Sequence, residues 1–174
     1  MDSSNHPSVL ITACGSEDVT LVQLLLDSGA VVDGNGKRWG HVPDEKASAL
    51  HMVSAKGHQP VARLLLQHGA EIEKEDETSG NPLQVAAHAS HVSLARLLIK
   101  AGAKVDRNNS RDTALSVASD NGHLEVVQEL INAGASIADP PRVANALAVA
   151  CQGRRHLIIE FLLEELSGDF TFPT

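Results

Sequence analysis

Apolar and small residues recur along this chain in a compound phrase about every 33 residues. Each phrase is a short Leu- and Ala-rich segment, a turn, a second segment with apolar residues at helical spacing that closes on a Leu pair or triplet, and then Gly-Ala. The first leucine of each phrase falls at Leu10, Leu50, Leu83, Leu115 and Leu147, with spacings of 40, 33, 32 and 32. A fixed period of this length marks a repeat architecture, in which no unit can bury its apolar stripe alone and each must stack on its neighbours. The closing Gly-Ala recurs at Gly29-Ala30, Gly69-Ala70, Gly102-Ala103 and Gly134-Ala135 and is missing from the last unit, as suits a terminal copy. The pattern predicts one all-α domain over 1–174, with units at about 6–33, 44–76, 77–109, 110–141 and 142–166, an insertion at 34–43 and a tail at 167–174.

The residue types within a unit have physical reasons. The second segments carry apolar stripes, Val61, Leu64 and Leu65 in one and Val126, Val127, Leu130 and Ile131 in another, at the spacing of an amphipathic helix. The first segments must approach both their partner helix and the next unit, so they place Ala86, Ala87, Ala118 and Ala150 where a larger side chain would push the stack apart. Gly69, Gly102 and Gly134 stand where a helix would stop on a left-handed residue. Pro60 lies in the first turn of its helix, where the missing amide is tolerated.

Three copies carry motif residues in register: Ser48-Ala49-Leu50-His51 with Gly57-His58, Asn81-Pro82-Leu83-Gln84 with Ala86-Ala87, and Thr113-Ala114-Leu115 with Gly122-His123. These resemble the ankyrin repeat, marked by T-P-L-H-x-A in its first helix and G-H before its second. Gly80-Asn81-Pro82-Leu83-Gln84-Val85-Ala86 and Asn145-Ala146-Leu147-Ala148-Val149-Ala150 also look like a G-N-x-L-Q-x-A variant of fungal ankyrin proteins. The resemblance implies an all-α solenoid of stacked helix-turn-helix units joined by β-hairpin-like loops. It further implies that the motif histidines His51, His58, His91 and His123 bridge backbone groups of adjacent units. The match weakens at Ser90, where other units have glycine, at Arg154-Arg155, where Gly-His is expected, and at Glu17-Asp18 in the first unit.

Composition narrows the function. With 2% aromatic residues and no tyrosine, the core must be built from Leu, Val, Ile and Ala, and stacking platforms for single-stranded nucleic acid are lacking. A net charge of −8 opposes binding to phosphate backbones and leaves basic protein segments as favoured partners. Cys14 and Cys151 occupy the same position of the first and last units, roughly 40 Å apart at four helix-packing steps, beyond disulfide reach. Free thiols fit a reducing compartment, cytoplasmic or nuclear. Met1 to Pro7 lacks the basic and apolar parts of a signal peptide, and no stretch has the length of a membrane helix.

No nucleophile elbow, phosphate loop or Cys-x-x-Cys is present, so the chain offers no catalytic set and no cofactor motif. His88 and His91, three apart, could share a zinc only with a third ligand; partner contact is the better reading of His88, and no metal site is assigned. Glu71, Glu73, Glu75, Asp76 and Glu77 surround Lys74 in an acidic run that reads as a solvated hairpin tip or, alternatively, as a dock for a basic segment. The insertion holds the chain's one tryptophan, Trp39, either a plug over its own hairpin or an interface anchor. Two of the three phenylalanines, Phe170 and Phe172, lie in the tail, where they either cover the open end of the stack or mark a chain cut from something longer. The first helix, with Val9, Leu10 and Ile11, lacks the polar outer face of a capping unit, so either end of the stack could have lost a neighbour.

The resemblance implies a monomeric protein-interaction module that binds through the concave face of hairpin tips and inner helices, as a scaffold, or as a regulatory or recruiting segment of a larger protein. The family's variable contact positions fall here at Asp44, Glu45, Ala47, Ala55 and Lys56, then at Glu77, Thr78, Gly80, His88 and Ala89, then at Asn109, Ser110, Asp112, Asp120 and Asn121, with Trp39 as the anchor.

Overall fold

The computed structural model describes residues 7–33, 48–76, 80–107, 113–136 and 140–168. Among these the chain forms ten α-helices and no strand. They belong to two compact units, Met1–Ala103 and Lys104–Thr174.

The first unit holds α1 (Pro7–Gly15), α2 (Val19–Asp27), α3 (Ala49–Lys56), α4 (Gln59–Gln67), α5 (Pro82–His88) and α6 (Val92–Lys100). Inner helix α3 packs on α1 and α5, outer helix α4 packs on α2 and α6, and each inner helix packs on the outer helix that follows it. Helix α5 shows why its residues must be small: every residue from Pro82 to Ala87 is buried, so a larger group at Ala86 or Ala87 would have to displace a neighbouring helix. The outer helices bury one stripe each, Val61, Ala62, Leu64 and Leu65 on α4 and Leu94, Ala95 and Leu98 on α6. Truncating such a fully enclosed leucine costs about 2–5 kcal/mol.

The second unit holds α7 (Ala114–Asn121), α8 (Leu124–Asn132), α9 (Pro140–Gln152) and α10 (His156–Gly168). Here α7 packs on α8 and α9, and α10 packs on α9 and α8. Val126, Val127 and Leu130 of α8 and Ile158 and Leu162 of α10 form the apolar layer between outer and inner helices.

Local signals place the helix ends. Asn81 and Gln84 exchange side-chain and backbone hydrogen bonds at the start of α5, at 2.9 and 2.8 Å. Thr113 and Ser116 do the same at α7, at 3.1 and 2.9 Å. Both arrangements are capping boxes. Among the described residues, the hairpin expected between units is represented by one isolated antiparallel bridge, Asp76 with Gly80. Between each inner and outer helix the chain takes one left-handed residue: Glu17, Gly57, Ser90, Gly122 and Arg154, with φ of 62, 78, 62, 83 and 54°. The turn geometry is therefore kept even where glycine is not.

Candidate partner-binding surface

Of the residues expected to meet a partner, Lys56, His88, Asp120 and Asn121 are described, together with Ala55, Gly80 and Ala89. Trp39, Asp44, Glu45, Ala47, Glu77, Thr78, Asn109, Ser110 and Asp112 lie outside the described residues, as do the insertion 34–43 and Phe170 and Phe172. In the first unit Lys56 ends α3 and His88 ends α5, both exposed, with His88 at the repeat position of Ala55 and Lys56 at that of Ala89. In the second unit exposed Asp120 and half-buried Asn121 close α7. An acidic residue in a helix's last turn opposes the macrodipole, so local helix stability does not account for Asp120.

Backbone bridges between neighbouring helix pairs hold these positions still. In the first unit the carbonyl of Ala55, beside Lys56, accepts from the His91 ring at 3.2 Å, and the Cys14 carbonyl accepts from the His58 ring at 3.0 Å. In the second unit the Asp120 carbonyl accepts from the Arg155 guanidinium at 2.9 Å. Arg155 thus performs, with a different side chain, the task that the imidazoles perform in the first unit. His91 makes its bridge through Nε2.

His51 is the most enclosed of these histidines. The Ser48 amide donates to its Nδ1 at 3.2 Å, which fixes that nitrogen as an acceptor and leaves the proton on Nε2 to be donated to the Gly80 carbonyl at 3.0 Å. Burial pushes the His51 pKa below the usual imidazole range, outweighing the opposing pull of the Gly80 carbonyl and of Asp76. Gly80 closes the same junction: its φ is +75°, and a Cβ there would lie 2.0 Å from the Gln84 side-chain oxygen.

The acidic run is only partly a solvated tip. Glu71 and Glu75 are exposed, whereas Asp76 is buried and pairs its backbone with Gly80. Lys74 reaches back to the Asp33 carbonyl. The sequence reading missed Asp33, whose carboxylate oxygens accept from the Glu71 amide at 3.1 and 3.0 Å, and Asp106, which accepts from the Ser136 amide at 3.0 and 3.2 Å. Their common signal was available, since each aspartate stands three residues after the alanine of a Gly-Ala.

The family model for ankyrin repeats (3 copies) matches residues 1–76 and 50–141. The chain belongs to the ankyrin repeat family. Human 2-5A-dependent ribonuclease is similar at 35% identity over 85 residues, covering 49% of this chain and 10% of the ribonuclease. Zygote-specific protein 3 of Chlamydomonas reinhardtii is similar at 33% identity over 78 residues, covering 45% of this chain and 19% of that protein. The match therefore spans at most about a fifth of these curated relatives. Ankyrin repeats are protein-interaction modules, and the bridging histidines, capped inner helices and left-handed turns of this chain are the ankyrin skeleton on which such a surface is carried. Among the described residues no helix is long and apolar enough to cross a membrane.

Proposed function

We propose that this chain is an ankyrin-repeat adaptor that binds a protein partner through the face made by its hairpin tips and the ends of its inner helices. The observation that carries this reading is the contrast at the ends of α3 and α7. There, Lys56 and Asp120 present opposite charges to solvent while the backbone at Ala55 and Asp120 is pinned by the next helix pair. A surface held rigid before binding loses less entropy when a partner docks. Trp39 in the insertion, Asp44, Glu45, Glu77 and Thr78 in the hairpins, and Asn109, Ser110 and Asp112 complete the surface together with His88 and Asn121. The net charge of −8 favours a partner with a basic segment over nucleic acid or a membrane. The chain itself carries no catalytic role in this reading, and its place is cytoplasmic or nuclear.

A second reading, a recruiting or regulatory segment within a larger signalling protein or enzyme, rests on one observation: the similar stretch is a tenth of a protein named as a ribonuclease. The test is affinity capture from a eukaryotic cell lysate with the wild-type chain beside a Trp39→Ala, Glu75→Lys, Glu77→Lys variant. A protein retained by the wild type and lost by the variant supports the hairpin face, and equal capture by both overturns it. For the captured partner, Trp39→Ala alone is expected to weaken binding by about 2 kcal/mol, measured by calorimetry.

A further inference from the structure

Among the described residues, the large apolar side chains left exposed are Val9, Val19, Leu21, Leu24, Val31, Leu157 and Leu163. All belong to the first and last helix pairs or the turn after α2, and the pairs α3/α4, α5/α6 and α7/α8 contribute none. The pattern is that of one interface cut open at both halves.

On the first pair, Leu21 and Leu24 are 41% and 63% exposed. Their counterparts one repeat on, Val61 and Leu64, are buried in α4, a helix that packs on α2. Val9 is exposed, and its counterpart Ala49 is buried in α3, a helix that packs on α1. Val9, Thr12, Ala13, Ser16, Leu21 and Leu25 line an open groove of about 460 Å³ on this side of the pair.

The last pair shows the opposite half. Ala148 and Cys151 of α9 are exposed. Ile11 and Cys14 of α1, His51 and Ser54 of α3, and Ser116 and Ser119 of α7 hold the same two positions and are buried, each helix being followed by another inner helix packed on it in its own unit. On α10 Leu163 is 52% exposed, whereas its counterpart Leu26 of α2 is buried. A stack of repeats stays soluble when its end units turn a polar face outward, and each of these pairs instead leaves large apolar side chains exposed.

Charge extends the correspondence. Within the first unit, His58 stands 3.8 Å from Glu17 of the preceding pair. The residues at those two repeat positions on the open sides are Asp18 on the first pair and Arg154 on the last, an acid to meet a base.

We propose that the open side of the α1/α2 pair docks on the open side of the α9/α10 pair of a second copy, carrying the chain's own helix-pair junction from one molecule into the next. The chain builds this junction three times within its two units, between α1/α2 and α3/α4, between α3/α4 and α5/α6, and between α7/α8 and α9/α10. The contact supplies a fourth copy, with Val9, Leu21 and Leu24 against Ala148, Cys151 and Leu163 and with Asp18 beside Arg154. It is head-to-tail, so it can propagate beyond two chains, in place of the monomer expected from sequence.

Sedimentation velocity over a concentration series tests it, using the wild-type chain, Leu24→Glu and Leu163→Glu. Both substituted residues are exposed, and circular dichroism checks that each variant remains folded. The wild-type mass is expected to rise with concentration, and each variant alone to associate about tenfold more weakly or worse. An equimolar mixture of the two is expected to form a complex of two chains, because Leu24→Glu keeps the α9/α10 side and Leu163→Glu keeps the α1/α2 side. A wild type that stays monomeric throughout overturns the proposal, since both sides are then covered in some other way. Association untouched by either change, or a mixture no better than its components, overturns it equally.

Discussion

At the junction of α3/α4 with α5/α6, His51 donates to the Gly80 carbonyl, Gly80 bonds Asp76 across the hairpin, and His91 reaches back to Ala55. On the last pair the position of His51 is taken by Ala148, which is exposed, and the position of buried Ser54 is taken by exposed Cys151. On the first pair the position of the bridging His58 and His91 is taken by Asp18, which instead caps its own helix by accepting from the Leu21 amide at 3.0 Å. Among the described residues, the same repeat position is thus buried or bridging where a neighbouring pair packs on it, and exposed or self-capping on the first and last pairs. Register alone does not set a residue's role; the presence of a neighbouring pair does.

The largest expected contrast is between the two cysteines. Cys14 is buried and its thiol is pushed up to about 12 from 9.0, by burial alone, while Cys151 is exposed. Such a shift removes about a thousandfold of the thiolate at neutral pH. At a dilution where the chain is unassociated, thiol labelling with a disulfide reagent should modify Cys151 rapidly and Cys14 only as the chain unfolds. Two equally fast phases would break the comparison at the α1 position.

Next in size are the glycines. Gly80→Ala is expected to cost about 3 kcal/mol in urea denaturation, because the left-handed backbone penalty adds to loss of the Gln84 cap against which the new Cβ would collide. Gly122→Ala, also left-handed but facing only the flexible Arg155 side chain, should cost about 1 kcal/mol. Equal losses would mean that the close approach at Gly80 relaxes.

The pH response of His51 comes third. Its folded pKa lies below the unfolded 6.5, so below about pH 6.5 the unfolded chain takes up a proton that the folded chain resists. Stability conferred by the neutral ring is therefore present above that pH and declines as pH falls toward the folded pKa. Urea midpoints measured between about pH 7.5 and about pH 5 should fall less steeply for His51→Gln than for the wild type. Glutamine at this position caps α5 in the neighbouring pair, so the substitution keeps the local fold. Identical slopes would show that the remaining histidines carry the acid response.

The smallest effect is at Ser90, the left-handed residue that stands where Gly57 and Gly122 stand in other pairs. Ser90→Gly is expected to gain about 0.5 kcal/mol in the same denaturation assay, relief of the left-handed strain outweighing the added freedom of the unfolded chain. A loss would show that the serine side chain contributes more than its backbone costs.

The period of the sequence was enough to place the helix pairs, the left-handed turns and the small residues of the inner helices, because each of these answers to neighbours a fixed distance along the chain. Bridging by His51, His58 and His91 was expected only through the ankyrin resemblance of their motifs, and the structure gives each a backbone carbonyl. Arg155 was visible only as a departure from the motif. That its guanidinium takes over the bridge to Asp120 depends on reach across the fold, which spacing does not record. Asp33 and Asp106 carried a usable spacing, but their partners, the Glu71 and Ser136 amides, stand 38 and 30 residues away and become evident only when the turns are brought together. Likewise the sequence singles out Val9, on a first helix without a polar outer face, but marks Leu21, Leu24 and Leu163 only as apolar members of regular helices, indistinguishable from their buried counterparts. Only the tertiary structure decides that they stand exposed among the described residues, because burial is a property of what packs against a residue and not of the residue itself.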